Sequence, residues 1–251
     1  MSASLAAPAA AKGAWLDAWL SDLPAASGEL APVQERGRQA LRQSSIPSAR
    51  HEDWRFTDLS LLQALPLAPA AAATPGLPTP AVGALRLLWS GGSDPLAGQT
   101  LPAGLQQLSP GEIAQGLGHT LAAAGCQEHW PVELNHAAAE RVLALRVASR
   151  SQLSLELVTA AAEGLQALRL LLLLEEKAEL DLSQWIEAQA SGLHSLVIEA
   201  HLARGARLSH GLVALGQADA ALMAHVAIEQ EPESRAQLSS VTSGWGLARL
   251  E

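Results

Sequence analysis

The chain contains little of several residue types, and each shortage narrows what the protein can be. Its one cysteine, Cys126, excludes an internal disulfide and fits a reducing compartment. Lys and Arg number 16 against 25 Asp and Glu, which argues against the clustered positive charge that nucleic-acid binding requires. The longest purely aliphatic run, Leu170–Leu174, is far shorter than the roughly 20 residues that cross a bilayer. We therefore predict a cytoplasmic protein with neither nucleic acid nor membrane as a partner.

Aromatic residues are also scarce, with seven Trp, one Phe and no Tyr. Hydrophobic residues nevertheless make up 49% of the 251 positions, enough to bury the core of one large domain or two small ones. Residues 1–12 are rich in alanine and lack a basic segment before a leucine-rich stretch. We expect them to form a mobile tail and not a signal peptide.

The residues that follow show helical spacing. Apolar side chains recur on one face of residues 13–23, and Pro24 then ends that helix. A second helix is predicted over Pro32–Gln43, where Pro32 suits the first turn. Residues 66–83 hold five prolines among alanines, which indicates a linker or a surface loop.

An unusual segment, Pro47–Leu59, is called the Trp motif here. It interleaves charges of both signs with a tryptophan and the only phenylalanine of the chain. Arg50 or Arg55 is expected to stack on Trp54, and Glu52 is expected to pair with either arginine.

Two segments allow a functional interpretation beside a structural one. The adjacent residues His51-Glu52-Asp53 offer catalytic groups, but neighbours on a turn or helix point in different directions, which favours a structural role. Gly91-Gly92 follows a strand predicted over Ala84–Ser90. No Gly-Lys-Ser/Thr comes after it, so a turn is preferred to a phosphate loop.

A helix is predicted over Leu108–Gly125, and potential metal ligands lie near its end. They are His119, Cys126, His129 and His136. The Cys-x-x-His spacing supplies two ligands where a site needs three or four, and no paired base marks Cys126 as a nucleophile. A structural cysteine is therefore preferred, with metal binding or nucleophilic chemistry as the alternatives.

From Arg141 onward the pattern changes to strands, beginning with Val142–Val147 and Leu153–Val158. Beyond them the chain repeats itself. A small residue, a spacer and a leucine recur at Leu180, Leu208 and Leu238, in steps of 28 and 30. A second series keeps steps of 28 and 29 at Leu165, Leu193 and Leu222. A period near 29 with two strand-length runs predicts a solenoid of stacked β-coils.

Four histidines lie within the repeat: His194, His201, His210 and His225. A metal ladder would need them at one phase of the repeat. Only His194 and His225 come close, and they are two residues off the period. We therefore expect solvated or locally bonded side chains, with metal binding as the alternative.

Three segments resemble SufD proteins of the SufB/SufD family of iron–sulfur cluster assembly. They are Pro47-x-x-Arg50-x-Glu52-x-Trp54-Arg55-Phe56-Thr57, Leu134-Asn135-x-Ala137 leading into Arg141–Val147, and the Gly-rich ending Ser240–Leu250. The repeat between them resembles the core of that family. The resemblance implies a mainly β fold, a right-handed parallel β-helix preceded by an α-helical N-terminal region.

The resemblance also implies a non-enzymatic scaffold that works with SufB and the ATPase SufC. Flavin and cluster chemistry would belong to that complex, so no catalytic, cofactor or metal residue is assigned to this chain. Against the family pattern the chain stops within the β-helix, before the elements that meet SufB and SufC. We expect a fragment of a longer reading frame.

The predicted organisation has three parts. Residues 1–65 form an N-terminal helical region with the Trp motif, residues 66–135 a Pro-rich linker with a mixed segment, and residues 136–251 an incomplete β-helix core. Two alternative functions stay open: a self-associating structural solenoid, and a β-helix enzyme acting on polysaccharide or transferring acyl groups. The acidic residues do not recur at one phase, which disfavours the enzyme.

Overall fold

The structure is a computed structural model that describes residues 13–76 and 79–251. Its helices are α1 (Ala14–Asp22), α2 (Ala31–Gln43), α3 (Pro110–Gly116), α4 (His119–Ala123) and α5 (Trp130–Ala138). Its strands are β1 (Leu85–Leu88), β2 (Leu105–Gln107), β3 (Val142–Val147), β4 (Gln152–Ala161), β5 (Gly164–Leu174), β6 (Glu179–Ala188), β7 (Gly192–Leu202), β8 (Arg207–Leu215), β9 (Ala220–Gln230), β10 (Arg235–Ser243) and β11 (Leu247–Leu250). The predictions for residues 1–12 lie outside the described residues.

The strands form two stacked sheets of a β-solenoid. Sheet A has the order β11-β9-β7-β5-β3-β2, and sheet B has the order β1-β4-β6-β8-β10. From β3 onward, successive strands of the chain alternate between the sheets, so each turn of the coil adds one strand to each, for about four turns. Neighbouring strands are parallel except β2, which pairs antiparallel with β3. The predicted parallel solenoid is confirmed, while its right-handedness stays a prediction.

The repeat is 28 residues long in the central turns. Gly192 of sheet A pairs with Ala220, and Glu179 of sheet B pairs with Arg207, which are both steps of 28. The predicted period of about 29 is therefore slightly long, and it misplaces the third member of the first leucine series. Ala236, and not Leu238, lies opposite Leu208. Leu238 is consequently 50% exposed instead of anchoring the core.

The second leucine series shows the same error with a larger consequence. Leu222 lies opposite His194, whereas Ala221 lies opposite Leu193. A shift of one residue turns a side chain to the other face of a strand. Leu222 therefore packs between the two sheets, while Leu193 packs outward against the N-terminal helical region.

The central strands of sheet A, β5 and β7, are buried on both of their faces. The inner face of sheet A meets sheet B in the main apolar core, which includes Leu170, Leu196 and Leu222. The outer face of sheet A is covered by the N-terminal helices and by α3, α4 and α5. Parallel strands buried on both sides read as continuous apolar runs, as Leu168–Leu174 does.

Most of the predicted elements are present, with one helix divided. The predictions for residues 13–23, Pro32–Gln43 and Val142–Val147 are confirmed by α1, α2 and β3. The helix predicted over Leu108–Gly125 is wrong, because α3 and α4 are separate. Gly118 adopts φ +80° between them, a conformation that breaks an α-helix and suits glycine.

The Pro-rich segment attaches to the solenoid. The described parts of residues 66–83 carry neither helix nor regular strand, as a linker or loop predicts. Ala70 N nevertheless donates to Leu165 O at 2.9 Å, and Ala81 N donates to Glu156 Oε1 at 2.9 Å. The division into residues 1–65, 66–135 and 136–251 stays a prediction. None of the helices in the described ranges has the length and apolarity needed to cross a bilayer.

Candidate functional site

A cleft of about 950 Å³ opens where the N-terminal region meets the last turn of the solenoid. Helix α2, the Trp motif, the segment before α5 and the end of β11 form its walls. The polar and aromatic side chains that matter here are Arg36, Trp54, His129, Glu133, Arg249 and Glu251. The cleft thus joins early and late parts of the chain.

Arg249 connects the Trp motif to the solenoid. Its guanidinium lies 3.9 Å from the ring centroid of Trp54. Its Nη1 donates to Asp53 O at 2.8 Å and to Thr57 Oγ1 at 3.2 Å. The expected stacking of Arg50 or Arg55 on Trp54 is therefore wrong.

The local fold of the motif explains this choice of partner. Glu52–Trp54 forms a short 3₁₀ turn that buries Trp54 edge-on against Trp130, with 6.2 Å between the ring centroids. Arg55 continues away from this face and lies over Phe56, which is 93% exposed. One face of Trp54 is thereby left for an arginine from β11.

The catalytic alternative for His51-Glu52-Asp53 gains no support from these contacts. Ser48 N donates to His51 Nδ1 at 3.2 Å within the same turn. Asp53 contributes its backbone carbonyl to Arg249, and not its carboxylate. In this structure the Trp motif connects the N-terminal helical region to β11 through Arg249.

Three side chains converge at the cleft wall beside Arg249. Glu251 Oε2 lies 3.1 Å from His225 Nδ1 and 3.3 Å from His129 Nδ1. The two imidazole rings meet edge to face with centroids 5.4 Å apart. Glu251 Oε1 pairs with Arg249. Sequence spacing gave no signal of this group, because its members come from a loop and two different turns.

The charge of Glu251 is fixed by these neighbours. The hydrogen bond from His225, together with Arg249 and His129, lowers the pKa of the Glu251 carboxyl to about 2. The carboxylate is therefore ionised at neutral pH and acts as an acceptor for both imidazoles.

A buried ion pair lies on the same outer face of sheet A. Arg169 Nη2 donates to Glu199 Oε1 at 2.6 Å, and both side chains are almost fully buried. The backbone N–H groups of Gly118 and Leu121 also donate to the Glu199 carboxylate, at 2.9 and 3.2 Å. Glu199 thus caps the first turn of α4 and holds that helix on the solenoid.

Burial dominates the electrostatics of this pair and its surroundings. It lowers the pKa of Arg169 and raises the pKa of Glu133. His136 lies 3.0 Å from Arg36 Nη2, and burial, reinforced by Arg169 and Arg36, lowers its pKa to about 2. The imidazole of His136 is therefore neutral at physiological pH.

Asn135, from the segment Leu134-Asn135-x-Ala137, has a structural role. Its side chain is fully buried in α5, and Nδ2 donates to Leu168 O at 3.1 Å and to Ser195 O at 3.2 Å. These acceptors belong to β5 and β7. One amide therefore fixes the covering helix to two successive turns.

Cys126 is buried in a small apolar cluster with Val197 and Ala227. Burial raises the pKa of its thiol, and Sγ lies 3.6 Å from Leu121 O. A buried thiol with a raised pKa is a poor nucleophile, which supports the structural interpretation. His129, its partner in the Cys-x-x-His spacing, turns instead toward His225.

The histidines of the repeat are less exposed than expected. His194, His210 and His225 are all buried, so of the two expected states, solvated or locally bonded, the solvated one does not apply to them. His210 and His225 are each hydrogen-bonded to a side chain, as the second state predicts. Burial lowers the pKa of both His194 and His210 to about 4. His210 bonds Gln184 Oε1 at 3.1 Å, while the His194 ring packs against Trp245.

The acidic residues of the solenoid do not form catalytic pairs. On every strand of the described chain, each Asp or Glu lies opposite a non-acidic residue of the neighbouring turn. Asp181, for example, lies between Ser154 and Ser209. Stacked carboxylates of the kind a β-helix hydrolase would use are therefore missing from these strands.

Part of the chain matches a known protein family. Residues 157–251 match the family model described as SUF system FeS cluster assembly, SufBD core domain. This range runs from within β4 to the end of β11, so it covers the repeating turns. A search of curated proteins found no significant match.

The SufBD match supports a relationship to SufB and SufD and a role in iron–sulfur cluster assembly. It does not distinguish SufD from SufB. The Trp motif and α5 lie before the matched range, so their resemblance to SufD rests on the sequence pattern alone.

Proposed function

We propose that this chain is a SufD-type scaffold subunit of a cytoplasmic iron–sulfur cluster assembly complex, with SufB and the ATPase SufC as partners. The observation that carries the proposal is the SufBD core match over residues 157–251. Those residues supply the stacked turns of both sheets, which is the part of the molecule with a regular, extended surface.

A second observation supports the subunit assignment. The Trp motif resembles SufD but lies outside the matched range, and Arg249 lies within it. The stacking of Arg249 on Trp54 joins the two segments in one structure. Two independent resemblances therefore fall on residues that contact each other.

The proposed role is non-enzymatic. The carboxylates of the described strands do not stack, and the one cysteine is buried. Iron–sulfur clusters are held mainly by cysteine thiolates, so the cluster is proposed as cargo of the assembled complex and not as a resident cofactor of this chain. Nucleic acid and membranes are not proposed as partners, consistent with the acidic balance of the chain.

Co-purification tests the proposal directly. The tagged chain, and beside it the longest form that its gene encodes, is co-expressed with SufB and SufC from the same cell. Stoichiometric recovery of both partners with either form supports the scaffold role, and transfer of a cluster to an apo-ferredoxin then tests function. Recovery of neither partner with either form would overturn it. An unrelated β-solenoid with the same tag is the control for nonspecific capture.

Self-association is the alternative that a specific observation favours. Strand β10 lies at the edge of sheet B, and its Val241 is 61% exposed. An exposed strand edge can pair with another chain. Concentration-dependent sedimentation without SufB or SufC binding would support this alternative.

A further inference from the structure

The cleft wall carries one group of side chains that the proposed scaffold role does not use. His129, His225 and Glu251 place three potential ligand atoms within 4.8 Å of one another. They come from the segment before α5, from β9 and from the end of β11. We propose that these three side chains bind a single divalent first-row transition-metal ion of the Zn²⁺ type. The inference does not rest on the proposed function.

The two carboxylate–imidazole distances suit such an ion, and the ligand atoms of all three residues lie within 4.8 Å of one another. Glu251 Oε2 lies 3.1 Å from His225 Nδ1 and 3.3 Å from His129 Nδ1. Ligand atoms 2.0–2.2 Å from a tetrahedral ion are separated by about 3.3–3.6 Å. Small side-chain movements therefore suffice to place an ion among them.

The chemistry of the donors also fits. Two imidazoles and one carboxylate form the protein ligand set of several zinc enzymes and of non-haem iron sites. His225 is buried and His129 is half-exposed, so the group lies at the boundary between protein and cleft. The cleft gives solvent or a small ligand access to the remaining coordination position.

Glu251 is oriented in the way metal-binding carboxylates usually are. Arg249 pairs with its Oε1, and Arg249 is itself fixed by Trp54 and Asp53 O. Oε2 is thereby directed at the two histidines. Hydrogen-bonded partners of this kind orient ligands and tune their affinity. No other set of three His, Cys, Asp or Glu in residues 13–76 and 79–251 meets the same spacing.

Calorimetric titration of the purified, untagged chain with Zn²⁺ tests the site. We expect one saturable site per chain, and Co²⁺ substituted at that site should give the visible spectrum of a low-coordinate nitrogen and oxygen complex. His129→Gln, His225→Gln and Glu251→Gln should each weaken binding about 10-fold or more. X-ray absorption at the zinc edge should detect two imidazoles.

His201→Gln is the matched control. His201 lies on the same face of sheet A and pairs with Glu229 at 3.4 Å, yet it belongs to no such group of three ligands among the described residues. Its replacement should leave Zn²⁺ affinity unchanged. Because His129 is half-exposed, His129→Gln decides the matter even if His225→Gln impairs folding, which circular dichroism would detect. Failure of the wild-type chain to bind Zn²⁺ at one per chain, or equal binding by His129→Gln, would overturn the proposal.

Discussion

The two sheets of the solenoid have the same strand direction and repeat length but different surroundings. Strand β7 of sheet A is buried along almost its whole length. Strand β8 of sheet B alternates between buried and exposed positions. The outer face of sheet A is covered by helices, while the outer face of sheet B carries exposed Ser154, Asp181 and Ser209. One repeat therefore encodes two kinds of strand.

This difference shows that the repeat alone does not determine burial. The helices that cover sheet A precede strands β3 to β11 in the chain, and they add a second core outside the coil. Polar groups on that covered face must find partners inside the protein, because water does not reach them. Equivalent substitutions in the two sheets should consequently have unequal effects.

The largest effect is expected for Glu199→Ala in sheet A. It leaves the buried Arg169 without a carboxylate and the N–H groups of Gly118 and Leu121 unpaired. Removal of one member of a buried pair costs about 3–5 kcal/mol of unfolding free energy. Urea denaturation followed by circular dichroism measures the change.

Glu179→Ala in sheet B is the matched control. Glu179 also pairs with an arginine of the next turn, Arg207, at 3.3 Å, but both side chains are exposed. Exposed pairs contribute about 0–1 kcal/mol. Equal losses in Glu199→Ala and Glu179→Ala would contradict the difference between the two outer faces.

A second pair of substitutions compares the apolar positions. Leu193 on the outer face of sheet A is 1% exposed, whereas Leu238 in sheet B is 50% exposed. Leu193→Ala should cost about 2–5 kcal/mol of unfolding free energy, because it opens a cavity beneath the helices. Leu238→Ala should cost less than about 1 kcal/mol. Equal urea midpoints and slopes for Leu193→Ala and Leu238→Ala would contradict the difference in burial between the two outer faces.

Loss of the contact between the Trp motif and Arg249 should have a smaller effect on the unfolding free energy. Arg249→Ala removes the stacking on Trp54 and the hydrogen bonds to Asp53 O and Thr57 Oγ1. We expect a loss of about 1–2 kcal/mol. Hydrogen exchange should show faster opening of the Trp motif than of sheet B. The control is Arg235→Ala, which replaces an exposed arginine of β10. Equal hydrogen-exchange rates of the Trp motif in the two variants would argue against a role of Arg249 in holding that motif.

The smallest effect concerns the interior, where the two sheets should behave alike. Burial lowers the pKa of His210 in sheet B and of His194 in sheet A to about 4. Because the unfolded histidine titrates near 6.5, the stability from each neutral imidazole is complete above that pH and is lost as pH falls toward 4. His210→Gln should reduce the loss between pH 7 and pH 5 by on the order of 1 kcal/mol. An unchanged loss in His210→Gln, measured by urea denaturation at both pH values, would contradict a neutral buried His210.

The sequence predicted the type of fold more reliably than the placement of single residues. Apolar runs and a period near 29 were sufficient for stacked coils, since these patterns follow from strand geometry. An error of one residue at Leu222 nevertheless reversed its face. Sequence periodicity could not correct this, because alanine replaces leucine as the outward residue of that turn, Ala221.

The buried ion pair between Arg169 and Glu199 has a recognisable signature in the sequence. Arg169 and Glu199 are single charges within apolar runs, placed 30 residues apart, which is close to one turn. Such a spacing predicts opposite charges on adjacent strands. The contacts of His129 with His225 and of Trp54 with Arg249 had no comparable signal, because they join segments without a fixed spacing.

The hydrogen bond from Arg249 to Asp53 has a consequence for the order in which the chain is made. The two residues are 196 positions apart, and a ribosome needs roughly 10–40 s to synthesise such a length. During that interval α1 and the Trp motif have left the ribosome, but the strands they cover do not yet exist. The cluster that contains Leu16, Trp19 and Leu20 also contains Leu193 and Met223, which are synthesised only late in this interval. The covering layer is thus synthesised first but can complete its packing only when the last turn has been made.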